Sequence, residues 1–181
     1  MPTLSEVELL ASLGDGDDPK AAMFDAAIAV LYVSGAKADE VIKLKWIDRR
    51  PWGADGMVLL FEGGTRSVPV LEAATSSLKL HERSSPPRHL SDPMFMVGAF
   101  VLTLDALNRE LGHRSRIIGL TVNVTASAFR VARVRDLTDE GMTIEAVADL
   151  IGLRDLNSVT RILSVLRDMP IIPRSRKSGK R

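Results

Sequence analysis

The chain has 181 residues, 45% of them hydrophobic and 26% charged, with 24 Lys and Arg against 23 Asp and Glu for a net charge of +1. That is the balance of a globular domain with a core of its own; it does not imply a wholesale polyelectrolyte partner and leaves room for a local basic patch. The absence of Cys excludes a disulfide scaffold, a thiolate nucleophile and Cys-based zinc or iron–sulfur sites. No apolar run reaches the roughly 18–20 residues of a membrane span. Residues 1–10 lack the basic flank and apolar stretch of a signal peptide, so a cytoplasmic protein without membrane contact is expected.

The first segment, Thr3-Leu4-Ser5-Glu6, is a capping box, and Val7, Leu9, Leu10 and Leu13 follow at helical spacing. Asp18-Pro19 reads as the N-cap and first position of a second helix, which runs over 21–34 and is apolar nearly all round. Gly35 closes it. A short helix over 38–45 turns Val41, Ile42 and Leu44 inward and leaves Lys43 and Lys45 outside. Tyr32, the only Tyr of the chain, falls on the apolar second helix as a packing residue.

From Pro51 the period changes to that of strands. Residues 57–61 and 66–70 form a hairpin around Glu62-Gly63-Gly64-Thr65. Helix returns over 71–83, a Ser/Pro loop follows over 84–93, and an amphipathic helix over 103–111 ends at Gly112. Three more helices cover 125–140, 143–151 and 157–167, the first two ending at Gly141 and Gly152. The fold class is therefore mainly α (α+β), a helical domain with a small antiparallel hairpin sheet. Residues 1–167 form one domain. Residues 168–181 are expected to form a basic flexible tail, either a solubilising end or one in which Arg174, Arg176 and Lys177 meet phosphate non-specifically. The first eighteen residues, by contrast, carry acids only. His81 and His89 lack metal-type spacing and read as surface residues; no metal or cofactor is implied.

Four pieces in this order resemble the catalytic domain of the tyrosine recombinase (phage integrase) family. They are Leu4-Ser5-Glu6-Val7-Glu8-Leu9-Leu10; Leu31-Tyr32-Val33-Ser34-Gly35-Ala36-Lys37-Ala38-Asp39-Glu40 through Leu44-Lys45-Trp46-Ile47-Asp48; the hairpin from Glu62 to Val70; and Ser127-Ala128-Phe129-Arg130 with Gly141 and the Val147 to Gly152 run. The resemblance implies a fold that holds DNA while a Tyr hydroxyl attacks the scissile phosphate. Two Arg bind that phosphate, and a hairpin Lys and a His move protons.

Position by position, the chain departs from that set. Lys37 stands at the first Arg position and keeps the charge without the bidentate fork. Glu62 stands at the hairpin Lys, a charge reversal. Ser127, Val131 and Leu153 stand at His positions, and Ile162, ten residues beyond Gly152, stands at the nucleophile. Arg130 is kept. Ser158 and Ser164 are too short to replace a Tyr. Leu111-Gly112-His113-Arg114-Ser115 imitates the Leu-Gly-His box but precedes Arg130, in the wrong order.

The resemblance therefore implies a recombinase-like fold without strand cleavage. With the match starting at residue 3, no separate N-terminal clamp domain is expected. Double-stranded DNA is the expected partner, with a nucleoid-associated location as an alternative. Arg130 and Arg133 are i,i+3 neighbours expected to share a face, as a phosphate clamp or as a solvated face paired to Asp136, Asp139 or Glu140. Lys37, Lys43, Lys45 and Arg66 would line the same concave surface. The 144–163 segment also reads as a helix-turn-helix, with Val159 packing back and Asn157, Ser158, Thr160 and Arg161 facing outward, which suits a transcriptional regulator. A third reading is a protein–protein module that docks a second copy or a recombinase partner through Met169-Pro170-Ile171-Ile172-Pro173.

Overall fold

The computed structural model describes residues 3–14, 17–53, 56–120, 124–153 and 156–167. Helices α1 (Leu4–Leu10), α2 (Pro19–Ser34) and α3 (Ala38–Ile42) lead into strands β1 (Arg49–Trp52), β2 (Gly56–Phe61) and β3 (Arg66–Pro69). Helix α4 (Glu72–Ser84), the two-residue strands β4 (Met96–Val97) and β5 (Phe100–Val101), and helices α5 (Leu104–Ile117), α6 (Ala126–Asp139), α7 (Ile144–Ile151) and α8 (Leu156–Arg167) follow. The mainly helical architecture with small antiparallel sheets is the one the sequence leads one to expect.

Local chemistry sets the first helix ends. Glu6 N–H donates to Thr3 Oγ1 at 3.3 Å while the Glu6 carboxylate accepts from Thr3 N–H at 2.7 Å. Lys20 N–H donates to Asp18 Oδ1 at 2.9 Å, and Pro19 occupies the first helical position. Gly35 ends α2 in the left-handed region, φ 54°. Because α2 is rich in Ala, neighbours approach it from every side. It packs against α1, α3, α4 and α6, and its residues are buried from Ala22 to Ser34. A smaller apolar cluster, Val134, Leu137, Val147, Ala148, Ile151 and Val159, joins α6, α7 and α8.

Four features differ from the sequence reading. Helix α5 does not stop at Gly112 but continues to Ile117. A glycine inside a helix costs only about 1 kcal/mol, and the continuation buries Arg114 and Ser115. Arg114 bonds Asp25, Glu110 Oε1 (2.8 Å) and the Leu10 carbonyl (2.6 Å), tying α1, α2 and α5 together. Burial pushes the Asp25 carboxyl up from its ordinary range, and the Arg114 bond opposes that.

Strand β1 is the second difference. Arg49-Arg50-Pro51-Trp52 has no alternating pattern, yet it pairs antiparallel with β2, Arg50 opposite Val58 and Pro51 opposite Met57. The sheet order β1-β2-β3 puts Pro51 on an edge, where a missing N–H is tolerated. Third, α3 ends at Ile42, three residues early. Fourth, His81 is fully buried rather than on the surface. It stacks against Trp46 and Phe95 (centroids 5.8 and 6.3 Å), and Nε2 meets the Met94 carbonyl at 2.8 Å. His89 is exposed. Among the described residues, no helix is long and apolar enough to cross a membrane.

Candidate functional site

Helix α6 presents Arg130 because its flanking residues are committed to the interior: Phe129, Ala132 and Val134 are fully buried. Arg130 is half-buried. Its Nη2 donates to the Gly152 carbonyl at 3.5 Å, while its Nη1 is buried with no hydrogen-bond partner. Burial lowers its pKa from the ordinary guanidinium value; Glu40 opposes this, Arg66 adds to it, and Asp39 opposes it. The side chain lines a cleft of about 330 Å³ whose wall also contains Lys37, Asp39, Asn108, Thr125 and Ser127.

Lys37 precedes α3 and is exposed at this cleft, and its N–H donates to Glu40 Oε2 at 2.8 Å. The same Glu40 oxygen accepts from Arg66 Nη2 at 2.9 Å. Arg66 Nη1 bonds the Leu150 carbonyl at 3.2 Å, and the guanidinium sits 4.5 Å from the Phe61 ring centroid. Only 7% of Arg66 is exposed. It is therefore an internal tie between α3, β3 and α7, not part of an open concave surface.

Arg133 departs from the clamp expectation and pairs instead with Glu140, one of the acids the alternative reading named. It does not share the face of Arg130 but is buried, its guanidinium 5.6 Å from the Tyr32 ring centroid and 3.6 Å from Glu140 Oε1. A long aliphatic stem lets it lie along α2 rather than reach the cleft. Lys43 and Lys45 are exposed outside the cleft, Lys43 beside Asp39 at 3.7 Å. Arg161 is exposed on α8. Arg174, Arg176 and Lys177 lie outside the described residues, as does the apolar segment from Met169 to Pro173.

Glu62 stands exposed at the hairpin tip with φ 53°, followed by Gly63 and Gly64 at 68° and 95°. Leu153 and Ile162 pack on the apolar cluster of α6, α7 and α8. The Tyr32 hydroxyl donates to Asp136 Oδ2 at 2.6 Å; burial and this bond push its pKa up, which opposes phenolate formation. Ser127 Oγ is 2.9 Å from Thr125 Oγ1. Among the described residues, no three His, Asp or Glu gather as a metal site. Asn108, on the cleft wall, carries no signal in the sequence; only the crossing of α5 and α6 brings it there.

No protein-family model matches the chain. The tyrosine recombinase XerC of Rhodospirillum centenum is 31% identical over 144 residues, 77% of this chain and 42% of that protein. A protein of Caldanaerobacter subterraneus subsp. tengcongensis that bears a tyrosine recombinase name is 25% identical over 166 residues, 91% of this chain and 56% of its own. The chain thus spans about half the length of these relatives. XerH recombinase in a post-cleavage complex with palindromic difH substrate superposes with a TM-score of 0.72 at 19% identity, over 92% of this chain and 50% of that one. XerA recombinase gives 0.71 at 17% identity, over 93% and 61%. The chain has the fold of a tyrosine recombinase catalytic domain.

Proposed function

We propose that this chain binds the backbone of duplex DNA at the Arg130 cleft and does not cut the strand it holds. The observation that carries the reading is Arg130 Nη1, a buried donor on a cation with no partner of its own. Such a group is costly to leave unsatisfied, and a phosphate oxygen entering the cleft would satisfy it with a charge-assisted bond. Lys37 on the same wall adds a second cation. The XerH structure is of a recombinase on its DNA substrate, which favours the same class of ligand here.

The second half of the proposal rests on side-chain chemistry. Ile162 offers no nucleophile, Glu62 repels a phosphate where a Lys would help, and Tyr32 is held by Asp136. A non-cutting binder of this fold suits a regulatory or accessory role in DNA recombination, integration or transcription.

The test is fluorescence anisotropy with a labelled duplex across a salt series, for wild type and Arg130→Ala. Wild type binds with a steep salt slope; the variant binds more weakly, with a slope smaller by about 0.9 for the lost phosphate contact. Equal binding by both proteins, or none by wild type at low salt, overturns the reading. A nicked duplex run under denaturing conditions checks cleavage: a covalent protein–DNA adduct overturns the non-cutting half.

One observation favours a second reading. Val159 is fully buried while Asn157, Thr160 and Arg161 are exposed, so α8 turns a polar face outward as the second helix of a helix-turn-helix would. If Arg161→Ala abolishes binding and Arg130→Ala does not, that reading replaces the first.

A further inference from the structure

The cleft wall holds a group that no matched motif accounts for. Asn108 lies on α5, and its Oδ1 accepts from the Ala126 N–H, the first residue of α6, at 3.1 Å. A backbone N–H can be accepted only by the amide oxygen, so this bond fixes the orientation of the side chain. The Nδ2 group is then a donor left over. It makes no hydrogen bond to protein among the described residues and is not one of the buried unsatisfied atoms, so it keeps accessible surface, and Asn108 lines the cleft. The same cleft is lined by Arg130, whose Nη1 is buried without a hydrogen-bond partner.

We infer that Asn108 is a second phosphate-binding residue of this site. Its amide N–H donates to the same DNA phosphodiester that Arg130 holds, while its carbonyl anchors the start of the helix on which Arg130 stands. This rests on the reading of the cleft as a DNA-backbone site. A single planar amide thus does two things: one end positions α6, the other meets the ligand. The contact is neutral, which gives it a signature distinct from that of a cation. Losing a neutral donor weakens binding at every salt concentration alike, whereas losing Arg130 also flattens the salt dependence.

The experiment measures anisotropy of a fluorescein-labelled 30-base-pair duplex across a salt series for wild type, Arg130→Ala, Asn108→Ala and Asn108→Asp, with the thermal midpoint of each. Asn108→Asp keeps an oxygen for the Ala126 N–H, so its midpoint stays at the wild-type value, yet it binds DNA at least about tenfold more weakly. Asn108→Ala binds about tenfold more weakly with the wild-type salt slope. If Arg130→Ala weakens binding and both Asn108 variants bind like wild type, this inference fails and the cleft reading stands. If Asn108→Ala weakens binding and Asn108→Asp restores it fully, Asn108 serves only as an anchor and the inference is overturned. If no variant changes binding, the cleft reading fails first and takes the inference with it.

Discussion

Arg66 fills the space that a side chain on Gly152 would need: a Cβ there would come within 2.7 Å of Arg66 Nε and 2.9 Å of its guanidinium carbon. Gly152 also holds φ 74°, which ends α7, and offers its carbonyl to Arg130 Nη2 at 3.5 Å. One residue without a side chain therefore seats the buried Arg66–Glu40 pair and borders the cleft cation. Gly152→Ala should destabilise the fold by on the order of 1–3 kcal/mol, from the strained backbone and the displaced Arg66. Urea unfolding measures this, and a change under 0.5 kcal/mol or so would show that Arg66 can step aside freely.

The buried Arg114 offers a sharper energetic test. Arg114 and Asp25 expose only 2% and 8% of their side chains. Arg114→Leu leaves the Asp25 carboxylate without its partner inside the protein and should cost about 3–5 kcal/mol. Adding Asp25→Asn removes the stranded charge, so the double variant should be more stable than the single one. Equilibrium unfolding of the four proteins gives the coupling directly; strict additivity would refute a pair bonded as described.

His81 predicts a pH dependence. Burial holds its pKa below the ordinary 6.5, against the opposing effects of the Met94 carbonyl and Glu82. The folded state thus binds fewer protons than the unfolded chain. The contribution is fully present above about pH 6.5 and is lost as pH falls toward the lower folded value. The thermal midpoint of wild type should drop between pH 7.5 and 5.5 by more than that of His81→Gln. Parallel curves for wild type and His81→Gln would show that the buried ring does not titrate.

The hairpin tip tests the charge reversal. Glu62 is exposed at the end of the β2–β3 turn. If this turn approaches the DNA backbone, Glu62→Lys should tighten binding and raise the salt slope by about 0.9. It should still form no covalent adduct, because it adds no nucleophile. An unchanged slope would mean that the tip stays clear of the backbone.

Much of this architecture follows from short-range chemistry. The Thr3–Glu6 box, Asp18-Pro19, Gly35 and Gly152 each mark a helix end through bonds or backbone angles that involve only a few neighbouring residues. The hairpin around Gly63 and Gly64 is equally local. Gly112 misleads because a small propensity penalty cannot compete with burial of the next turn of α5. Strand β1 is silent in sequence because its partner β2, not its own pattern, makes it a strand.

The candidate site divides in the same way. Arg130 and Lys37 are singled out in the sequence only through the resemblance to the recombinase motifs, as are Glu62, Ser127, Leu153 and Ile162. Arg66, Arg133, Arg114 and His81 look like surface residues in the sequence because charge and polarity ordinarily seek water. Each is buried only because another element supplies its partner: Glu40, Tyr32, Asp25 and the Met94 carbonyl, respectively. The sequence by itself determined several helix ends and the β2–β3 hairpin. The tertiary structure alone decided which cations stay open to a ligand, because burial and pairing depend on contacts between residues far apart in the chain.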